Sequence, residues 1–187
     1  PKNKNGRNAH KVSVNKKLHG LKPKDLIGIP WRLALALQQN GWYLRQDIIW
    51  HKPNPMPEPV ADRCTKSHEY IFLLSKNKKY YFDNESIKLK DSDANRRSVW
   101  SITLEPYPES HFATFPPKLI EPCILAGCPE GGVVLDPFFG AGTTGLVANR
   151  LNRKWVGIEL NPEYVQLSES RIFNDAPLLN FYKELNA

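Results

Sequence analysis

The chain has 187 residues, of which 41% are hydrophobic and 24% charged, and it carries a net charge of +7 at neutral pH. That length suits one domain with a sizeable core and excludes two large ones. The basic balance favours a polyanionic partner such as nucleic acid, with a plain basic surface as the alternative.

No apolar run reaches the length of a membrane span, and no secretory signal opens the chain. Three cysteines, Cys64, Cys123 and Cys128, have no CxxC spacing. They support neither a disulfide framework nor a metal site, and they fit a reducing, cytoplasmic setting. Pro1 in place of Met is expected of a chain that begins inside a gene product or after a processing boundary.

Residues 1–24 are polar, lysine-rich and nearly free of apolar side chains, so a flexible basic lead-in is expected there, with the folded domain over 25–187. Order should begin near Leu26. Pro30 suits a first helical turn, Trp31 to Gln39 is rich in Leu and Ala, and Asn40-Gly41 is a stop signal. A strand is expected over Trp42 to Trp50. Four prolines between Pro53 and Pro59 then rule out regular structure. Glu69 to Leu74 reads as a second strand, which Lys76-Asn77-Lys78 could turn back into Tyr80-Tyr81-Phe82 as an antiparallel hairpin.

Residues 83–110 read as a loop-rich insertion, a candidate specificity region. Pro116-Pro117 opens a helix with Leu119, Ile120, Cys123 and Ile124 on one face, ended by Gly127 and Pro129. Strand Val133 to Leu135, a glycine turn, helix Thr144 to Leu151, strand Trp155 to Ile158 and helix Pro162 to Ile172 complete a β-α-β-α unit. Such a unit predicts an α/β fold with a mostly parallel sheet.

The chemistry centres on Asp136-Pro137-Phe138-Phe139-Gly140-Ala141-Gly142-Thr143-Thr144-Gly145. A strand running into closely spaced glycines lets the backbone turn sharply and approach a ligand. Thr143 or Thr144 is expected to cap the following helix, whose first amides and positive dipole end would face that ligand. Glu159 ends the next strand at the spacing of an acid that binds ribose hydroxyls, so the whole reads as an adenosine site.

Gly140-x-Gly142-x-x-Gly145 also satisfies the dinucleotide fingerprint, which keeps NAD or FAD as rivals, and a ligand-free glycine turn is a third reading. Pro137 before the glycines and the short remaining chain count against a dinucleotide, and the Asp136-Pro137-Phe138 lead-in with the Gly142-Thr143-Thr144-Gly145 exit resembles the methyltransferase pattern, which favours S-adenosylmethionine.

Asp136 to Thr144 resembles motif I of the β-class DNA amino-methyltransferases. His111-Phe112-Ala113-Thr114-Phe115-Pro116 is similar to their motif X, and Ile158 to Tyr164 to their motif II. The runs Asp47 to Glu58 and Ser67 to Lys76 follow the same family. The resemblance implies a Rossmann-like S-adenosylmethionine-dependent methyltransferase fold with permuted motif order, the target-base half preceding the cofactor half. It implies methyl transfer from S-adenosylmethionine to cytosine N4 or adenine N6 of a flipped base in double-stranded DNA.

The implied cofactor residues are His111, Ala113, Phe115, Pro116, Asp136, Pro137, Phe138, Gly140, Gly142, Thr143, Thr144, Glu159 and Leu160. Glu159 would bind the ribose hydroxyls, and Phe115, Pro116, Phe138 and Leu160 would supply apolar walls. The base pocket and DNA contacts would come from Trp50, His51, Lys52, Asn54, Arg63, Lys66, Arg96 and Arg97, with core packing the rival role for Trp50. A homodimer and a cognate restriction endonuclease are further partners of this type; no membrane and no metal are expected.

The family's catalytic tetrapeptide, Asp or Ser followed by Pro-Pro-Tyr, occurs nowhere in these residues, since Pro116-Pro117 precedes Lys118. The catalytic residues are therefore unassigned, and a cofactor- and DNA-binding remnant without transfer activity is the alternative. Pro122-Cys123 is read as packing rather than as the nucleophile of a cytosine-C5 enzyme.

Overall fold

The computed structural model describes residues 20–89, 93–105 and 114–175. Helix α1 spans Ile29–Gln39, with Pro30 in its first turn and Asn40 at its end, where the Asn40 N–H bonds the Ala36 carbonyl. Strand β1 (Tyr43–His51) follows, then the proline-rich connection, then β2 (His68–Ser75). These two strands pair antiparallel from Tyr43 opposite Ser75 to His51 opposite His68, with a bulge at Arg45.

The expected hairpin between β2 and Tyr80–Phe82 does not form: β2 pairs with β1, and Tyr80–Phe82 is not a strand. Tyr80 is instead held through its hydroxyl by Arg45 Nε (3.2 Å), and the chain leaves the sheet, the Asp83 N–H donating to the Ala126 carbonyl. Within 83–105 the described residues hold a 3-10 turn, Glu85–Ile87, and β3 (Val99–Ser101), which runs parallel to β1.

Helix α2 (Pro117–Gly127) carries Pro122 inside it and packs on both halves of the molecule. Toward the first sheet its Leu119 meets Trp50 and Trp100. Toward the second half its Ile124 meets Val147 and Ala148. On the other face of the first sheet, Trp31 of α1 packs edge-on against Tyr70 and Phe72 at 5.3 and 4.9 Å. The first sheet is thus sandwiched between α1 and α2.

Strand β4 (Val133–Asp136), α3 (Thr143–Arg150), β5 (Lys154–Gly157) and α4 (Pro162–Asp175) form the β-α-β-α unit. β4 and β5 pair in parallel from Val133 opposite Lys154 to Asp136 opposite Gly157. The expected single sheet is divided among the described residues into β2-β1-β3 and β4-β5. Among the described residues only one face of the second sheet is covered, by α2, α3 and α4. Val133, Leu135 and Val156 on the other face are 59, 61 and 50% exposed, unusual for parallel strands, which are normally buried on both faces.

Candidate functional site

The loop from Asp136 to Gly142 is fixed by hydrogen bonds that the sequence brings together. Asp136, the last residue of β4, accepts from the Phe138 N–H through Oδ1 (2.9 Å) and from the Thr144 hydroxyl through Oδ2 (2.6 Å). The Phe139 N–H donates to the Ile158 carbonyl, tying the loop to the end of β5. Glu159 completes the brace: Oε2 accepts from the Gly140 N–H (2.8 Å) and Oε1 from the Asn161 N–H (2.9 Å).

Those backbone donors, Asn161 first and Gly140 next, hold the Glu159 carboxyl below the usual carboxylate range. The group is therefore an anion at neutral pH, and each oxygen keeps a second lone pair for another donor.

The two adjacent phenylalanines divide their work. Phe139 is buried beneath the loop and stacks on Trp155 with ring centroids 5.0 Å apart. A Cβ at Gly145 or Gly157 would come within 2.6 or 2.4 Å of its ring, so both glycines make room for it. Phe138 is 89% exposed and Leu160 96%, leaving apolar side chains standing beside the glycine loop.

Gly142 has φ of 75°, and a Cβ there would lie 2.7 Å from that of Ser168. Gly142, not either threonine, is the N-cap of α3. The threonines are buried and otherwise engaged: Thr144 donates to Asp136, and Thr143 accepts from Arg171 Nη1 at 3.0 Å. That Arg171 nitrogen also donates to the Ala141 carbonyl (3.0 Å). Arg171 clamps the loop from α4, a role absent from the sequence reading, since a lone arginine on an amphipathic helix ordinarily faces water.

Phe115, Asp136 and Thr144 line one groove of about 450 Å³ between α2 and β4. Residues proposed from the two separate motifs thus border one space. Pro116 is a correction: it is fully buried and its carbonyl accepts from the Leu119 N–H, so it begins α2 and is no open wall. His111 and Ala113 lie outside the described residues. Pro137 is exposed at the start of the loop.

The expected DNA-facing residues sit at the end of β1 and in the loops beyond it. Trp50 is core: it is buried against Trp100 and Leu119, and its Nε1–H donates to the Ile102 carbonyl (2.8 Å). His51 Nδ1 lies 3.0 Å from Ser101 Oγ. Lys52 pairs with Glu69 and stands 4.4 Å above the Trp50 ring centroid. Asn54 Oδ1 accepts from the Leu104 N–H (2.9 Å), pinning the proline-rich loop to the segment after β3.

Arg63 pairs with Glu58 at 2.6 Å, and Glu58 also accepts from the Lys66 backbone N–H (3.3 Å). Lys52 and Lys66 border a second cleft of about 360 Å³ with Met56 and Tyr70. Arg97 is exposed, whereas Arg96 is half-buried with its guanidinium on Trp100, 4.7 Å from the ring centroid. Cys123 packs against the Trp50 cluster, and burial pushes its thiol up to about 11, away from the thiolate that a nucleophile requires. No helix among the described residues is long and apolar enough to cross a membrane.

Residues 3–170 match the model of the N6/N4 methyltransferase family, described as DNA methylase. The chain is 65% identical over 158 residues to the type II methyltransferase M.SmaI of Serratia marcescens, covering 82% of this chain and 54% of that protein. It is 60% identical over 156 residues to M.Cfr9I of Citrobacter freundii, covering 82% and 52%. The chain therefore spans about half the length of these relatives.

Among solved structures, the PvuII DNA methyltransferase, described as cytosine-N4-specific, superposes with a TM-score of 0.68 at 25% identity, covering 85% of this chain and 64% of that one. The M1.HpyAVI–SAM complex does so with a TM-score of 0.62 at 30% identity, covering 78% and 70%. By the extent of the family match and the shared α/β methyltransferase fold, the chain belongs to the N6/N4 DNA methylase family.

Proposed function

We propose that the chain forms the cofactor-binding and DNA-facing part of a DNA amino-methyltransferase. It acts with S-adenosylmethionine on the exocyclic amino group of cytosine or adenine in a flipped base. The observation that carries this reading is the braced glycine loop: Asp136 and Glu159 hold its two ends, and Phe115, from the other motif, borders the same groove as Asp136. The M1.HpyAVI–SAM complex, a structure with this fold, supports the same cofactor.

The residues fit such a ligand. Glu159 is an anion whose remaining lone pairs suit the hydroxyl pair of a ribose, and Phe138 and Leu160 offer apolar surface to a nucleoside base. A Cβ at Gly140 would meet nothing within 4 Å, so the space over the loop is open.

When bound, S-adenosylmethionine supplies a methyl group on a positively charged sulfur. The chain's task is to hold the nucleoside end rigidly and to border the place where the base arrives. The amino nitrogen of cytosine or adenine is conjugated with its ring and a poor nucleophile, so proximity and fixed polar groups provide the rate. No enzyme nucleophile is needed, in keeping with the desolvated Cys123 thiol.

On the DNA side, Lys52, Asn54, Arg63 and Lys66 lie on and beside the proline-rich loop, and Arg97 stands separately on the approach to β3; cations at such places suit phosphate and base edges. The type II description of the relatives supports a cognate restriction endonuclease as the biological companion.

Incubation with duplex DNA and labelled S-adenosylmethionine, followed by nucleoside analysis, tests the assignment. N4-methylcytosine or N6-methyladenine is the expected product. A second reading, cofactor and DNA binding without transfer, is favoured by the lack of a Pro-Pro-Tyr tetrapeptide in these residues. Binding of both ligands with no modified nucleoside would establish it.

A further inference from the structure

A path of hydrogen bonds crosses the glycine loop and joins a cation to an anion through two peptide groups. It starts at Arg171 of α4, whose Nη1 donates to the Ala141 carbonyl (3.0 Å). The N–H of that same peptide group, on Gly142, donates to the Phe139 carbonyl (2.9 Å). The Phe139 carbonyl in turn shares its peptide group with the Gly140 N–H, which donates to Glu159 Oε2 (2.8 Å). Every donor points the same way, from the guanidinium to the carboxylate.

The charges at the two ends match the direction of the peptide dipoles between them. Each end bond is charge-assisted, and bonds in such a chain polarise one another. The path runs where the backbone most needs it. Gly140 and Gly142 have φ of 51° and 75°, so the residues on either side of Ala141 do little by themselves to hold the turn. Ala141 is buried, and its carbonyl would be left without water in place of the guanidinium. Arg171 reaches the loop from the protein side: its helix neighbours Ser168 and Ile172 lie against Gly142 and Gly145, whereas a Cβ at Gly140 would meet nothing within 4 Å. The open side is left to a ligand.

We propose that Arg171 is a positioning residue of the cofactor site, acting through this path on Glu159 and on the turn at Gly140, and so setting cofactor affinity without touching the cofactor. The proposal rests on the reading of the loop as an S-adenosylmethionine site. Two consequences separate it from a plain packing role. Arg171 and Glu159 hold the same turn from opposite ends, so their effects on binding are not independent. The bond to the Ala141 carbonyl lies on the path, whereas the second bond of the same nitrogen, to the Thr143 hydroxyl, lies off it and matters less.

Calorimetric titration with S-adenosylhomocysteine, well below the unfolding midpoint of each variant, tests it. Arg171→Met, which keeps the length of the stem, should weaken binding at least about tenfold in the folded chain. Arg171→Lys, which restores a cationic donor, should recover part of that loss, and Thr143→Val should lose much less than Arg171→Met. Combining Arg171→Met with Glu159→Ala should weaken binding by less than the product of the two single losses. Wild-type affinity in folded Arg171→Met, a lysine variant no better than methionine, or a fully multiplicative double loss would each overturn the proposal; with binding still lost in Glu159→Ala, the cofactor reading itself would stand. If Arg171→Met does not fold, Arg171→Lys decides: about threefold weaker binding is expected, and wild-type affinity would overturn the proposal. No binding to the wild type would remove the cofactor reading and this role together.

Discussion

The Glu159 carboxylate reaches from the end of β5 to the Gly140 N–H at 2.8 Å, so the acid that ends one strand fixes the turn that follows its neighbour. The anion thereby serves two ends at once. It orders the loop through one set of lone pairs and leaves another set open to a further donor.

Removing that carboxylate should therefore damage binding and order together. Glu159→Ala is expected to weaken S-adenosylhomocysteine by more than about tenfold, read by calorimetry. Glu159→Gln, which keeps one acceptor, should lose less.

The same bonds make a pH signature. Because the folded carboxyl titrates below its unfolded counterpart, its stabilisation is fully present above the unfolded range and disappears as pH falls through the folded value. Urea unfolding of the wild type and of Glu159→Gln should differ at neutral pH and converge in acid. A gap that widened on acidification would contradict the assignment.

Phe139 is the packing counterpart of this brace. It fills the room left by Gly145 and Gly157 and stacks on Trp155. Phe139→Ala should cost about 3–5 kcal/mol of stability by denaturant unfolding. Phe138→Ala, at an 89% exposed position, should cost little stability but reduce cofactor affinity.

Asp136 and Thr144 should behave as one unit. Asp136→Asn and Thr144→Val, alone and together, should show a coupling of about 1–2 kcal/mol in a stability cycle. Additive losses would mean that the 2.6 Å bond contributes nothing beyond its parts.

For DNA, each phosphate contact contributes counterion release. Arg97→Gln and Lys66→Gln should each lower the slope of log affinity against log salt by about one, measured by fluorescence anisotropy on duplex DNA. An unchanged slope would remove that residue from the interface.

Much of this was legible in the residues, and the failures have causes. The spacing of Asp136, the glycines and Glu159 located the loop because a strand, a tight turn and a following strand leave little freedom in three dimensions. The helix cap was misread because Thr143 and Thr144 have the right chemistry, yet their hydroxyls bond Arg171 and Asp136 while Gly142 takes the left-handed position.

Tyr80–Phe82 has the composition of a strand, but the chain leaves the sheet there, with the Tyr80 hydroxyl accepting from Arg45 and the Asp83 N–H donating to the Ala126 carbonyl. Arg171 carried no signal, since its acceptors lie about thirty positions upstream, as the 3.0 Å bond to Ala141 shows. The Phe139 site did leave a trace: small residues at 145 and 157 mark where a large ring must fit.

The most direct measurement is calorimetric titration of this chain with S-adenosylhomocysteine and, separately, with NAD. Saturable binding of S-adenosylhomocysteine that is lost in Glu159→Ala, with no heat from NAD, is the predicted result. Binding of NAD alone, or S-adenosylhomocysteine binding indifferent to Glu159, would contradict the assignment of the Gly140 loop as a sulfonium-nucleoside site.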